Sequence, residues 1–476
     1  MNPIKSKSVS RSIKDTSLYY SFLGDEILSS EDESALVTPT TKLNVAAVAR
    51  YLVSDNLVSQ SPFSTIFSDV LRIPPGTETT LDGFRVTHRP ADSIICKSDE
   101  KVLREHFLFP DQNASLLFSG GLDSATFLAV NPDVKHLYHI NYHGEGSRLS
   151  HVAREVAEYF GKNLIEVNAN INDFSMIDYC DALSEGITGI QSPSQYCFSL
   201  SLNRSLSDPK TEYLVSGQNC DTMLYVDHHH APTQLILHER FMPTIRGLMK
   251  RHRVWRGTSE SDLEETKFAL SEHMGAPSEI QKCVIKDFTE QFKDQYNELS
   301  LPDMPRLAAL KLIRWFRGSA TINDNFELLR KQTGVKRIAG LHHTKFLPSA
   351  IQLVPSSMNL IFCKTEIARL FHDVAGIRHR KLVTHGILKN IRHLSISRDN
   401  RAEALNQTRR FDDEIVRELF DRRRDSVVDL LDEVGCPIFI EFLKTVEKKS
   451  SVFTPDTLSL VHRLINLDLY VRRVRA

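Results

Sequence analysis

The chain has 476 residues, 41% of them hydrophobic and 25% charged, with a formal net charge of -1. That length exceeds one ordinary core and implies roughly two or three domains. The composition is that of a globular protein, and the near-zero charge excludes a chain-wide basic field for nucleic acid. Seven cysteines are scattered with no CxxC pair, which argues against a disulfide framework and against a structural zinc site. A reducing, cytoplasmic setting is the expectation. The basic start MNPIKSKSVSRSIK runs into no apolar core segment, so it does not read as a secretory signal. No apolar run approaches the ~18 residues of a membrane span.

Residues 1–43 are rich in Ser, Thr and charge. They read as partly disordered, or as the remnant of a larger N-terminal unit. Residues 44–110 hold a helix, with Val45, Val48, Ala49 and Leu52 at helical spacing. A small hairpin follows, marked by the Pro74-Pro75-Gly76 break and the Asp82-Gly83 turn. From 111 to 235 the rhythm is strand–helix. ASLLF, HLYHINY (136–142), NLIEVNA (163–169) and YLV (213–215) are strand candidates, and HVAREVAEYFG (151–161) is an amphipathic helix stopped by Gly161. Alternating β and α predicts an α/β parallel sheet covered by helices. Residues 236–476 read as mostly helical, through LAALKLIRWF (307–316), TEIARLFHDV (365–374), residues 412–434 and residues 457–474. The charges of ELFDRRRDS read as a solvated helix face.

The segment SLLFSGGLDSATFLAV carries the chemistry. A strand enters Ser119-Gly120-Gly121-Leu122-Asp123-Ser124 and a helix leaves it. Paired glycines let the backbone turn sharply and bring N–H groups to phosphate oxygens. The helix N-terminus adds partial positive charge, and Ser119 and Ser124 add hydroxyls. Asp123 suits Mg²⁺ better than phosphate. No Lys follows the glycines, so this is not a Walker A loop. The alternative for a bare Gly-Gly is a tight turn chosen for geometry alone. Six specified positions between strand and helix favour ATP.

SGGLDS resembles the signature of the adenine-nucleotide α-hydrolase (HUP) group, which includes asparagine synthetases, β-lactam synthetases and lasso-peptide cyclases. SDVLRIPPGTETTLDG is similar to the hairpin preceding the synthetase domain of asparagine synthetases, and HVAREVAEYFG to the helix after its second strand. VSGQNCDTMLYVDHHHAPTQ resembles that family's second acidic loop and its later His-Lys-Ala-Pro. The resemblance implies a HUP-type parallel sheet with a largely helical C-terminal part that binds substrate. It implies ATP and Mg²⁺ as cofactors, with Ser119, Gly120, Gly121, Leu122, Asp123, Ser124, Ile140, Ser216 and Gly217 at the nucleotide and Asp123 and Asp221 on the metal. It also implies a catalytic Lys. Arg409 and Arg410 of QTRRFDD stand nearest to that position, and Lys381 is the alternative, although RHRK also reads as an exposed basic patch.

The departures are informative. Family members with a glutaminase half carry Cys after the initiator Met, where this chain has Asn2, and the segment before the hairpin is short for that half. The second loop keeps Ser216, Gly217 and Asp221 but loses two acidic residues of the family pattern. His228-His229-His230 reads as pocket or structure rather than as a metal tract, because adjacent side chains diverge. Cys220 reads as a loop cysteine. The expected function is an amide-forming ligase without glutaminase that adenylates a carboxylate, releases pyrophosphate, and passes the acyl group to an amine, as in peptide or natural-product cyclisation. Its expected partners are a small-molecule or peptide carboxylate and a separate amine donor or precursor peptide, with no nucleic acid or membrane. The alternatives are an ammonia-dependent asparagine synthetase, a thiolation or tRNA-modifying pyrophosphatase, and an inactive nucleotide-binding paralogue acting as regulator or scaffold.

Overall fold

A computed structural model describes residues 8–10, 18–23, 26–53, 64–73, 77–82, 85–90, 109, 113–141, 148–168, 170–187, 192–206, 211–217, 335–339, 398–449 and 453–476. Strands β1 (Ser8–Ser10), β2 (Leu18–Leu23), β3 (Glu26–Ser30), β4 (Val70–Ile73), β5 (Thr77–Asp82) and β6 (Arg85–Pro90) form two small antiparallel sheets, ordered β3-β2-β4 and β1-β5-β6. The hairpin expected around Asp82-Gly83 is β5–β6, with Asp82 opposite Arg85. Part of the stretch 1–43 is therefore paired backbone. LYYSFL alternates, so Leu18 and Tyr20 share one face and bury against Ile73 of β4. That pairing partner lies some fifty residues downstream, beyond the reach of a local pattern.

The central element is a five-stranded sheet of β7 (Ala114–Leu117), β8 (Leu137–Ile140), β9 (Leu164–Val167), β10 (Tyr213–Ser216) and β11 (Lys336–Ala339). Its order is β11-β10-β7-β8-β9, and every neighbouring pair is parallel. The chain moves outward from β7 to β9, then returns to the other side of β7 with β10. The α/β architecture and the four strands read from sequence are all present. β11 is a strand that the reading of 236–476 as mostly helical did not include. KRIA is too short and too polar to announce a strand, and its ladder comes from β10.

Helices α1 (Val45–Val53), α2 (Leu122–Val130), α3 (Arg148–Tyr159), α4 (Met176–Ser184) and α5 (Pro193–Ser205) precede the C-terminal α6 (Arg398–Val434), α7 (Pro437–Lys449) and α8 (Pro455–Arg475). α3 stops where the sequence predicts. Gly161 takes φ +64, and the Lys162 N–H returns to the Ala157 carbonyl at 2.9 Å. Successive strand residues face opposite sides. Tyr138 packs with Leu202 of α5 and Leu214 of β10, while His139 meets Ser150 of α3. The sheet is thus covered by α3 on one face and α5 on the other.

The largest core joins α1, α4, α6, α7 and α8, so the end of the chain packs on its beginning. Polar bonds secure that join. Arg463 Nε donates to the Leu52 carbonyl at 3.0 Å, Asn466 Nδ2 to the Leu183 carbonyl at 2.6 Å, and Tyr51 pairs with Asn466. The charges of ELFDRRRDS are not all a solvated face. Arg423 reaches Asp468, which is fully buried and also takes Ser426 Oγ at 2.6 Å and Arg472 Nε at 2.8 Å. The sequence pattern of one helix cannot reveal a carboxylate buried on another. The helices 307–316 and 365–374 read from sequence lie outside the described residues. Among the described residues no helix is long and apolar enough to cross a membrane.

Asp412 of α6 is buried against the first turn of α5, accepting the Ser194 N–H at 2.7 Å and the Ser194 hydroxyl at 2.8 Å. Burial pushes its carboxyl up to about 6, against the opposing pull of these hydrogen bonds. The folded state therefore holds this proton more tightly than the unfolded chain, so the contribution of Asp412 to stability falls as pH rises from about 4 through about 6. Asp412→Asn keeps an acceptor for the Ser194 N–H and never ionises. Thermal melts should show it at least as stable as the native chain at pH 7.5, with the advantage shrinking by pH 5. A variant relatively weaker at pH 7.5 than at pH 5 would contradict this.

Candidate functional site

β7 leads through Phe118 and Ser119 into Gly120 and Gly121, and α2 begins at Leu122. Gly120 has φ +70, a region L side chains rarely adopt. A Cβ there would stand 2.7 Å from the Ala153 Cα and 2.8 Å from its nitrogen, inside the backbone of α3. Gly120 is thus required twice, by conformation and by packing. Gly121 is different. It caps α2 with extended backbone, φ -73 and ψ 168, and a Cβ would meet only Ser119 Oγ at 3.2 Å.

The loop is braced by its own hydroxyls. Ser124, buried in the first turn of α2, donates to the Gly121 carbonyl at 3.1 Å, and its Oγ accepts the Ser119 N–H at 3.3 Å. Ser119 Oγ lies 3.2 Å from Ser124 Oγ and accepts the Gly121 N–H at 3.2 Å. Ser119 and Gly121 themselves are exposed, so the outer rim of the loop is open while its base is closed. An open turn with N–H groups at a helix start is suited to an anion.

β10 ends beside this loop. Ser216 pairs with Leu117 in the parallel register, and Gly217 follows it. The β10 approach is fixed by the Glu212 N–H on the Asn113 carbonyl at 3.1 Å and by the Thr211 and Ser115 hydroxyls at 3.2 Å. β10 lies on the other side of β7 from β8, so the strand order reverses beside β7, the place in an open parallel sheet where ligands usually bind. Ser119, Gly120, Gly121 and Ser124 share one turn, and Ser216, opposite Leu117, ends the neighbouring strand ahead of Gly217. Ile140 is at the end of β8, half-buried against the Tyr138–Leu202 cluster. Leu122 and Asp123 occupy the first turn of α2. Asp221, Lys381, Cys220 and His228–His230 lie outside the described residues. Arg409 and Arg410 are exposed on α6, where Arg409 donates to the Phe453 carbonyl at 3.4 Å. Among the described residues no group of three or more His, Cys, Asp or Glu could hold a metal ion.

A second layer was missed by the sequence reading. Under the loop, His139 Nδ1 is 2.8 Å from the Phe118 carbonyl and Nε2 is 3.3 Å from Ser150 Oγ. Ser150 donates to Asn141 Oδ1 at 2.8 Å, and Asn141 Nδ2 to Asn168 Oδ1 at 3.0 Å. The available signal was a polar residue inside the apolar run HLYHINY, on the face shared with Leu137. Beside this chain, Arg154 of α3 pairs with Glu166 of β9 and holds its carboxyl below the usual range. No known family profile matches this chain, and no curated protein matches its sequence.

Proposed function

We propose that this chain binds ATP on the Ser119–Ser124 loop and uses it to adenylate a carboxylate, as an asparagine-synthetase-like ligase on a HUP-type sheet. The observation that carries this reading is the glycine turn between β7 and α2, open at its rim and set beside Ser216-Gly217 where the strand order reverses. A phosphate fits such a turn, because Gly120 gives it a left-handed backbone and the N–H groups of the first turn of α2 are local donors. Mg²⁺, when bound, supplies positive charge for the departing pyrophosphate; Asp123 and Asp221 are the residues assigned to hold it.

In the reaction, a carboxylate oxygen of the substrate forms a bond to the α-phosphorus. The α–β phosphoanhydride bond breaks, and its electron pair leaves with pyrophosphate. An amine then attacks the acyl carbon, loses a proton, and AMP departs. The role of the loop is to stabilise charge that grows as the anhydride bond breaks. Lys381 is assigned to the adenylation step, and the amine is expected from the substrate itself or from a separate donor.

The purified chain incubated with ATP, Mg²⁺ and candidate carboxylates is expected to yield AMP and pyrophosphate. Asp221→Asn should lower turnover on the order of a hundredfold while weakening ATP affinity much less. Chromatography of the nucleotide and calorimetric binding decide it. ADP as sole product would defeat the ligase mechanism. ATP binding without any turnover across the carboxylates would instead favour the inactive paralogue, for which the reduced acidity of SGQNCD already speaks.

A further inference from the structure

The loop is held from below by a residue outside the Ser119–Ser124 motif. His139 on β8 is 5% exposed, and its ring spans the gap between the loop and the first turn of α3. The Phe118 carbonyl can only accept, so the ring nitrogen facing it, Nδ1, carries the hydrogen. This assignment holds for either charge state of the ring. In the imidazolium both nitrogens donate, and Ser150 keeps its hydrogen on Asn141 Oδ1. In the neutral ring Ser150 donates to Nε2, and the Asn141 and Asn168 amides turn over to donate along the same chain. In both cases the Nδ1–H remains on the Phe118 carbonyl.

That carbonyl belongs to the peptide whose other end is the Ser119 N–H, the donor to Ser124 Oγ at 3.3 Å. Because the peptide is planar, fixing its carbonyl fixes its N–H. If the Phe118–Ser119 peptide rotated, the Ser119 N–H would leave Ser124 and the turn into Gly120 would lose its geometry. The same helix α3 walls the loop at Ala153, one turn beyond Ser150. α3 thus meets the loop twice, through the ring of His139 and through the backbone under Gly120.

We propose that His139 is a positioning residue for the phosphate loop, presetting the Phe118–Ser119 peptide plane, and with it the Ser119 N–H to Ser124 Oγ brace that sets the turn into Gly120, before any nucleotide arrives. This rests on the ATP reading for its consequence, but not for the loop geometry.

Three variants of the full chain separate the roles of the ring nitrogens. His139→Asn places an amide donor where Nδ1 stood. His139→Gln places one where Nε2 stood, and His139→Leu offers none. Two measurements are made: amide hydrogen exchange at Ser119–Gly121 without nucleotide, and the Kd for ATP. Exchange in the loop should rise, and ATP affinity fall, by about tenfold in the Leu and Gln variants, the size of one lost buried hydrogen bond, with Asn within about threefold of the native chain. Equal loop exchange in the Asn and Leu variants would overturn the proposal, because packing rather than the Nδ1 donor would then hold the loop. A native chain that fails to bind ATP would end the nucleotide reading, while the exchange measurement would still decide the role of His139.

Discussion

Gly120→Ala is expected to cost roughly 2–5 kcal/mol of stability, combining about 1–2 for a left-handed alanine with about 1–3 for overpacking. The steric part is severe because the obstacle is backbone. A Cβ at 2.7 Å from the Ala153 Cα has no flexible side chain to displace, so α3 or the loop must move. Gly121→Ala should cost only about 0.5–1 kcal/mol, the usual penalty of alanine at a helix N-cap. The neighbour it meets is the Ser119 hydroxyl at 3.2 Å, which can turn away. Denaturant melts of both variants test the difference. Equal losses would show that the two glycines are interchangeable turn residues and that the α3 wall is not what selects Gly120.

Asp123→Ala carries the largest effect expected on activity. If Asp123 holds Mg²⁺ against the leaving pyrophosphate, AMP formation should fall on the order of a hundredfold or more. Asp123 also stands in the first turn of α2, where any carboxylate favours the helix dipole. Its removal should therefore cost stability of about 0.3–1 kcal/mol and no more. The two roles separate cleanly. A purely structural aspartate would lower the melting point slightly and leave turnover alone, whereas a metal-holding one would add a large loss of turnover to the same small change in melting point. Undiminished AMP production by a folded Asp123→Ala chain would sink the ATP-ligase assignment.

Local features of the fold were legible in the sequence. The four strand runs from ASLLF to YLV, the loop, the helix after it and the Gly161 stop all depend on residues within one or two turns of each other. Hydrophobic period and glycine placement determine such features directly. The same holds for α1, the β5–β6 hairpin and the long amphipathic helices near the C-terminus. The glycines could be read as a turn, but their unequal roles could not. Only the tertiary structure brings the Ala153 backbone under Gly120, and that contact spans more than thirty residues.

What pairing across the chain decides stayed hidden. β11 takes its ladder from β10, and β2 finds β4 across some fifty residues, so neither shows a strong local signature. The reversal of strand order beside β7, next to Ser216 and Gly217, follows from which strand pairs with which. Arg423 looked like surface charge until Asp468 of another helix appeared beside it. His139 read as one polar position in a strand, and only the approach of the Phe118 carbonyl and of Ser150 gives its two nitrogens their work. The sequence by itself determined the elements with a strong local pattern and the glycine turn, because those rest on local backbone preference. Tertiary structure alone decided which side chains brace that turn, because a buried polar group takes its meaning from the partner that folding brings to it.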